Sequence, residues 1–138
     1  MVEKLLLVFQ QSELDAVKMY QVLTDKAGSE DEKQLLRRLG AVEGRHAAIL
    51  RGITGVTDLK PTDKMAAPVA LLREKLGKNV TYTLLALGEH GAYYLYQPLA
   101  HRYDALRQVA LDERNHGKTL LKLVGALRRS LPVPAMVQ

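Results

Sequence analysis

Residues 29–53 read SEDEKQLLRRLGAVEGRHAAILRGI, and the fold follows from reading this stretch as one amphipathic helix. Leu36, Leu39, Glu43, His46 and Leu50 recur at three- and four-residue intervals, which puts them on one side of a helix. Ser29-Glu30-Asp31-Glu32 ahead of them forms a capping box, in which Ser29 and Glu32 satisfy each other's unpaired backbone N–H groups and the acidic residues complement the helix dipole. The spacing predicts a helix from Ser29 to about Ile53. Its inner stripe is apolar except at Glu43 and His46.

The same periodicity continues on both sides. From Val2 to Ala27, the positions Leu6, Phe9, Glu13, Val17, Tyr20 and Thr24 share a face, and Gly28 supplies a stop. Residues 54–66 hold Gly55, Thr57, Asp58, Pro61 and Asp63, the composition of a long connection. A short helix from Pro68 to Leu76 should end at Gly77. Asn79 can then cap a third long helix carrying Tyr82, Leu85, Glu89, Tyr93 and Tyr96, with its end at Pro98. A fourth helix starts after Asp104, turns Leu106, Val109, Glu113, His116, Leu120 and Val124 inward, and stops before Pro132 and Pro134. Helices of about 20 to 26 residues are about 30 to 39 Å long. The expected fold is all-α: an antiparallel four-helix bundle, one domain over residues 1–138, with a long crossover between helices two and three.

Composition narrows the function classes. The chain contains no cysteine, so thiolate metal sites, iron–sulfur clusters, disulfides and cysteine nucleophiles are excluded together. Any metal must be held by nitrogen and oxygen. At 47% hydrophobic and 25% charged residues the chain can bury a core. The net charge of +5 is scattered over positions such as Lys33, Arg37, Arg38, Arg73 and Arg128 rather than gathered in a stripe, so no nucleic-acid partner is expected. Leu5-Leu6-Leu7-Val8-Phe9 is too short for a signal peptide or a membrane span, which makes the cytoplasm the expected location and a membrane partner unexpected.

Polar residues interrupt every inner stripe in a repeated way. Helices two and four carry Glu43-Gly44-Arg45-His46 and Glu113-Arg114-Asn115-His116, each a Glu-x-x-His whose side chains project one turn apart on one side and can grip one ion. Helices one and three carry Glu13 with Tyr20 and Glu89 with Tyr96, at a seven-residue spacing that returns to the same face two turns on. Glu13 and Glu89 stand 76 positions apart, as do Tyr20 and Tyr96; Glu43 and Glu113 stand 70 apart, as do His46 and His116. Depth agrees as well, because the midpoint of 13 and 43 falls on Gly28 and that of 89 and 113 falls at His101, in the turn after Pro98. Four converging carboxylates would repel unless cations or protons neutralise them. Two divalent ions solve this, with Glu43 and Glu113 bridging, Glu13 and Glu89 terminal, and His46 and His116 completing one ion each. Such hard donors suit iron or manganese, with zinc as a substitute. Tyr20 and Tyr96 are the candidate catalytic side chains, as donors to the glutamate of the opposite half. Tyr82, Tyr93, Tyr94 and Tyr103 read as core or surface, and His90 and His101 fall outside the motif phase.

This set of residues resembles the ferritin-like di-iron carboxylate superfamily, whose bundle ligand pattern is well described. Gly88-Glu89-His90, followed by a tyrosine-rich stretch ending at Pro98, is most similar to the erythrin domain of rubrerythrins, over residues 5 to 125. Ala92 stands where rubrerythrins usually carry a further glutamate, and residues 1–138 are expected to hold no counterpart of their rubredoxin domain. The resemblance implies a ferritin-like bundle and an oxidoreductase that reduces peroxide or dioxygen, drawing electrons from a separate donor such as a rubredoxin. The alternative is a ferritin-type ferroxidase acting on Fe²⁺ for iron storage or detoxification. A hydroxylase of an organic substrate would need an apolar pocket beside the metals. Leu5 to Phe9 and Leu120, Leu121, Leu123 and Val124 exceed what one core needs, so a homodimer or larger homo-oligomer is expected.

Overall fold

A computed structural model describes the backbone of residues 2–130 and the side chains of residues 4–124. Four helices follow one another, α1 (Val2–Asp25), α2 (Glu30–Thr54), α3 (Ala66–Ala100) and α4 (Leu106–Ser130), and no strand occurs among the described residues. They form a helical bundle in which α1 packs chiefly on α2, and α3 on α4. No helix among the described residues is long and apolar enough to cross a membrane.

Local chemistry accounts for most of the boundaries. Ser29 caps α2, its Oγ accepting from the Glu32 amide at 3.2 Å. The other half of the capping box is shifted, because Glu32 Oε1 accepts from the Gly28 amide at 3.2 Å rather than from Ser29. The buried Glu32 carboxylate also accepts from the Tyr82 hydroxyl and lies 3.7 Å from Arg73, and these ties draw it away from its own N-cap. Gly55 ends α2 in the left-handed region with φ 74°, its amide donating to Arg51 O. Within α3 the two expected helices meet across a kink. Gly77, at φ 86° and ψ 174°, makes the kink in a backbone region that only glycine enters readily. Asn79 does not cap the helical turns beyond the kink: the Thr81 hydroxyl bonds back to Gly77 O, and Asn79 Oδ1 has no partner. Nor does Pro98 end the helix. It removes one backbone donor within the last turn, and α3 continues to Ala100. The expected stop of helix four at Pro132 and Pro134 lies outside the described residues.

Two apolar clusters bracket a polar layer. The first contains Met19, Tyr20 and Leu23 of α1, Leu36 and Leu39 of α2, Tyr82 and Ala86 of α3, and Leu120 of α4. The second contains Leu6 and Phe9, then Leu50, Tyr96 and Leu99, and Leu106 and Val109. Between them on every helix stand the motif residues: Glu13, then Glu43 and His46, then Glu89, then Glu113 and His116. Along α1 and α4 the second cluster comes before the layer and the first after it; along α2 and α3 the order is reversed.

The connection from α2 to α3 is strapped along α1. Gln10 donates to Val56 O at 2.9 Å and accepts from the Thr54 hydroxyl, Gln11 donates to Lys60 O at 2.7 Å, and Asp15 accepts from the Thr62 amide at 2.7 Å. Lys18 pairs with Asp63 at 2.8 Å. Rising residue numbers on α1 therefore meet rising numbers on the strap, which carries the chain from one end of the bundle to the other. At the opposite side α3 and α4 approach closely at Gly117, where a Cβ would stand 3.2 Å from the Ala86 carbonyl oxygen.

Candidate metal centre

All six motif residues lie in the central layer and are buried, the most exposed being Glu89 at 8%. One ligand atom from each of Glu13, Glu43, His46 and Glu113 lies within 4.8 Å of the others, and the same holds for Glu43, Glu89, Glu113 and His116. The two groups share Glu43 and Glu113. Each group takes its histidine from a Glu-x-x-His, on α2 for His46 and on α4 for His116.

One polar atom of every one of these residues is buried without a hydrogen bond: Glu13 Oε2, Glu43 Oε1, His46 Nδ1, Glu89 Oε2, Glu113 Oε1 and His116 Nδ1. They approach one another closely. His46 Nδ1 stands 2.9 Å from Glu113 Oε1 and 3.3 Å from Glu13 Oε2, and His116 Nδ1 stands 2.7 Å from Glu43 Oε1 and 3.6 Å from Glu89 Oε2. Buried polar atoms are satisfied in folded proteins far more often than not. Six unsatisfied donor atoms facing one another, nitrogen and oxygen only, fit divalent cations, and the buried groups could hold a metal ion.

Three of the remaining atoms, on Glu13, His46 and Glu89, are engaged outward, which orients the inward ones. The Tyr20 hydroxyl donates to Glu89 Oε1 at 2.7 Å, and the Tyr96 hydroxyl donates to Glu13 Oε1 at 3.1 Å. Each tyrosine thus reaches from its own half to the glutamate of the other. His46 Nε2 meets Asp112 Oδ2 at 2.8 Å, and Asp112 is steadied by Gln108. This carboxylate–histidine pair, of the kind that fixes ring orientation and raises ligand basicity, was not expected from the sequence. The available signal was the acid pair Asp112-Glu113: one residue is about 100° of turn on a helix, so Asp112 faces α2 while Glu113 faces the layer. His90 and His101 are exposed and outside the cluster. Tyr82 belongs to the first apolar cluster, and half-buried Tyr93 carries the Arg114 guanidinium 5.1 Å from its ring centre.

Charge crowding shows in the proton affinities. Burial pushes Glu43 well above the usual carboxylate range, and Glu13, Glu89 and Glu113 push it further. Burial likewise raises Glu113, to about 9, against the help from His46 and with Glu89 and Glu13 pushing the same way as burial. For His46, burial alone would disfavour the charged ring, but Glu113, Glu13 and Asp112 prevail and raise it to about 10. Glu89 goes the other way: burial opposes its charge, yet His116, Glu113 and Tyr20 hold it below the ordinary value. Burial and the neighbouring carboxylates raise Tyr20 and Tyr96, so both hydroxyls keep their protons and act as donors. A layer that holds protons in place of missing positive charge releases them when cations arrive.

A pocket of about 570 Å³ opens between α1 and α3 and reaches this layer. All four carboxylates, Glu13, Glu43, Glu89 and Glu113, border it, and neither histidine does. Its walls are otherwise almost wholly apolar, from Phe9, Ala16 and Met19 on α1, Met65 and Val69 near the start of α3, and Leu85 and Ala92 further along. No family model matches this chain, and neither a curated protein nor a solved structure does.

Proposed function

We propose that the chain is a ferritin-like di-iron oxidoreductase, most similar in kind to the erythrin domain of rubrerythrins, that reduces peroxide or dioxygen. The observation that carries this reading is the pair of four-residue groups sharing Glu43 and Glu113, with six unpaired donor atoms turned toward one another. Glu43 and Glu113 would bridge two iron ions, Glu13 and Glu89 would each serve one, and His46 and His116 would complete them; manganese or zinc could take the same places. The ions would supply redox electrons and charge stabilisation at oxygen. The order in which the helices meet the two apolar clusters supports an antiparallel, ferritin-like arrangement, with α1 and α4 running one way and α2 and α3 the other.

The chain's own residues do the rest. Tyr20 and Tyr96 hold Glu89 and Glu13 in place from the outer side and keep a proton each beside the layer. The apolar pocket delivers the oxidant to the carboxylate side and limits water there. Its walls suit a small neutral molecule better than hydrated Fe²⁺, which favours oxidant reduction over the ferroxidase alternative. Reducing one peroxide to two waters takes two electrons and two protons, so a separate donor such as a rubredoxin belongs to this reading. So does a homodimer, for which exposed Leu84, Leu87 and Leu121 offer apolar surface.

The test begins with metal analysis of protein purified from iron-supplemented cells, where two irons per chain are expected. Stopped-flow oxidation of the anaerobic diferrous protein by peroxide and by dioxygen comes next, with peroxide expected to be faster. Dioxygen reacting as fast or faster, with ferric iron accumulating beyond two per chain, would replace this reading by the ferritin-type one.

A further inference from the structure

The pocket between α1 and α3 is larger than peroxide or dioxygen requires. At about 570 Å³ it lies within the range of clefts that enclose a small organic molecule. Its chemistry is sorted by depth. Buried Phe9, Ala16 and Met19 form an apolar interior against the carboxylate layer, and exposed Val8, Lys64, Pro68, Gly88 and Leu95 form the rim. Lys64 is the only cationic residue that lines the pocket, and no ion pair involves it among the described residues. Its neighbour Asp63 is taken by Lys18.

We infer that this pocket binds an amphiphilic organic acid, an aliphatic chain with a carboxylate head, placed with the head at Lys64 and the chain directed toward the carboxylate layer. The orientation follows from charge. Phe9, Ala16 and Met19 offer a carboxylate no partner in the interior, whereas Lys64 at the rim attracts one, so the apolar end enters first. The affinity follows from burial, each methylene inside the pocket strengthening binding roughly fourfold. This goes beyond the proposed reduction of peroxide or dioxygen and stands on the pocket rather than on the identity of the ions.

Metal-free protein, and separately protein loaded with zinc, is titrated calorimetrically with octanoate, decanoate and 1-decanol. Saturable binding of one decanoate per chain is expected in both forms, with octanoate weaker by about fifteenfold, two methylenes' worth. Gly88→Phe fills the pocket from a position where an added Cβ meets nothing within 4 Å, and a residue other than glycine suits a helix better, so the variant should fold at least as well. It should bind decanoate at least tenfold more weakly, and Ala92→Leu, within the pocket, should do the same. Lys64→Glu should weaken decanoate about tenfold and leave 1-decanol within twofold.

Non-saturable uptake by the wild type overturns the proposal, as does unchanged binding by Gly88→Phe, which would put the ligand on the exposed α3 leucines instead. A Lys64→Glu effect equal for acid and alcohol also overturns it. Iron content is read on separate protein from iron-supplemented cells, so a failure of the di-iron reading leaves this result intact.

Discussion

The α1–α2 half and the α3–α4 half carry the same side chains into the same layer, yet they support their histidines differently. His46 has Asp112 behind it at 2.8 Å. Seventy residues earlier, at the position matching Asp112, α2 has Val42, so the repeat provides no carboxylate of this kind for His116. The two halves agree at the six layer positions and at the tyrosine pair, and differ here, one residue round the helix. The lesson is that a duplicated ligand set does not make duplicated sites: in the proposed centre, the ion on His46 has the better donor and should be held more tightly than the ion on His116.

The largest expected effect comes from removing a residue both groups share. Glu43→Ala or Glu113→Ala should reduce metal from two ions per chain to one or none, whereas Glu13→Ala or Glu89→Ala should spare one ion. Elemental analysis of all four purified variants checks this; full metal content in the first two would break the assignment.

Removing the ions altogether exposes the crowding that the halves share. At a hundredfold excess over its dissociation constant a cation stabilises the fold by about 2.7 kcal/mol, so chelated protein should melt lower at neutral pH. Glu113 and His46 bind protons more tightly folded than unfolded, at about 9 and about 10 against ordinary values of 4.5 and 6.5. Their contribution is therefore complete in mild acid and is lost as pH rises through 9 to 10. Melting of metal-free protein should fall steadily from pH 5 to pH 9. A melting temperature that rises over that interval would contradict the buried, unpaired layer.

A smaller effect addresses the asymmetry itself. Asp112→Asn should weaken one of the two binding steps by about tenfold to a hundredfold and leave the other unchanged, bringing the two affinities together. Titration with zinc, followed calorimetrically, resolves the steps; equal steps in the unaltered protein would end the comparison. Val42→Asp makes the complementary test, and should strengthen the weaker step.

The smallest effect separates the tyrosines. Tyr20→Phe and Tyr96→Phe each remove one hydrogen bond, worth about 1 kcal/mol of stability. Tyr20, at 2.7 Å from Glu89, should lose more than Tyr96, at 3.1 Å from Glu13. Denaturant unfolding of the metal-free variants measures the difference.

How much of this is legible in the sequence divides along the same line. The helices, the layer and the crossed tyrosine pairs follow from spacing, because inward positions recur with the helical period and the two Glu-x-x-His motifs share a phase. Asp112 escapes because it lies off the stripe, and its partner is on another helix. The break at Gly77 is legible because glycine leaves the helical region most readily; that the two helices meet there with no connection between them is not. Pro98 reads as a stop although only one backbone bond is lost in a last turn. The pocket has no signal at all, since Met65 and Val69 reach it only after the strap has been laid along α1 by Gln10, Gln11 and Asp15.

Each group of four donor atoms draws on both halves, three residues from one and one from the other. Neither helical hairpin alone contains a complete set. Contacts within a hairpin are short-range and form quickly, whereas docking the two hairpins closes the long loop through the strap. The candidate centre should therefore be completed only when the hairpins dock, which rapid-mixing refolding of the metal-free protein would time. A chain cut within the strap would leave two pieces that a divalent ion, by spanning their seam, could draw back together.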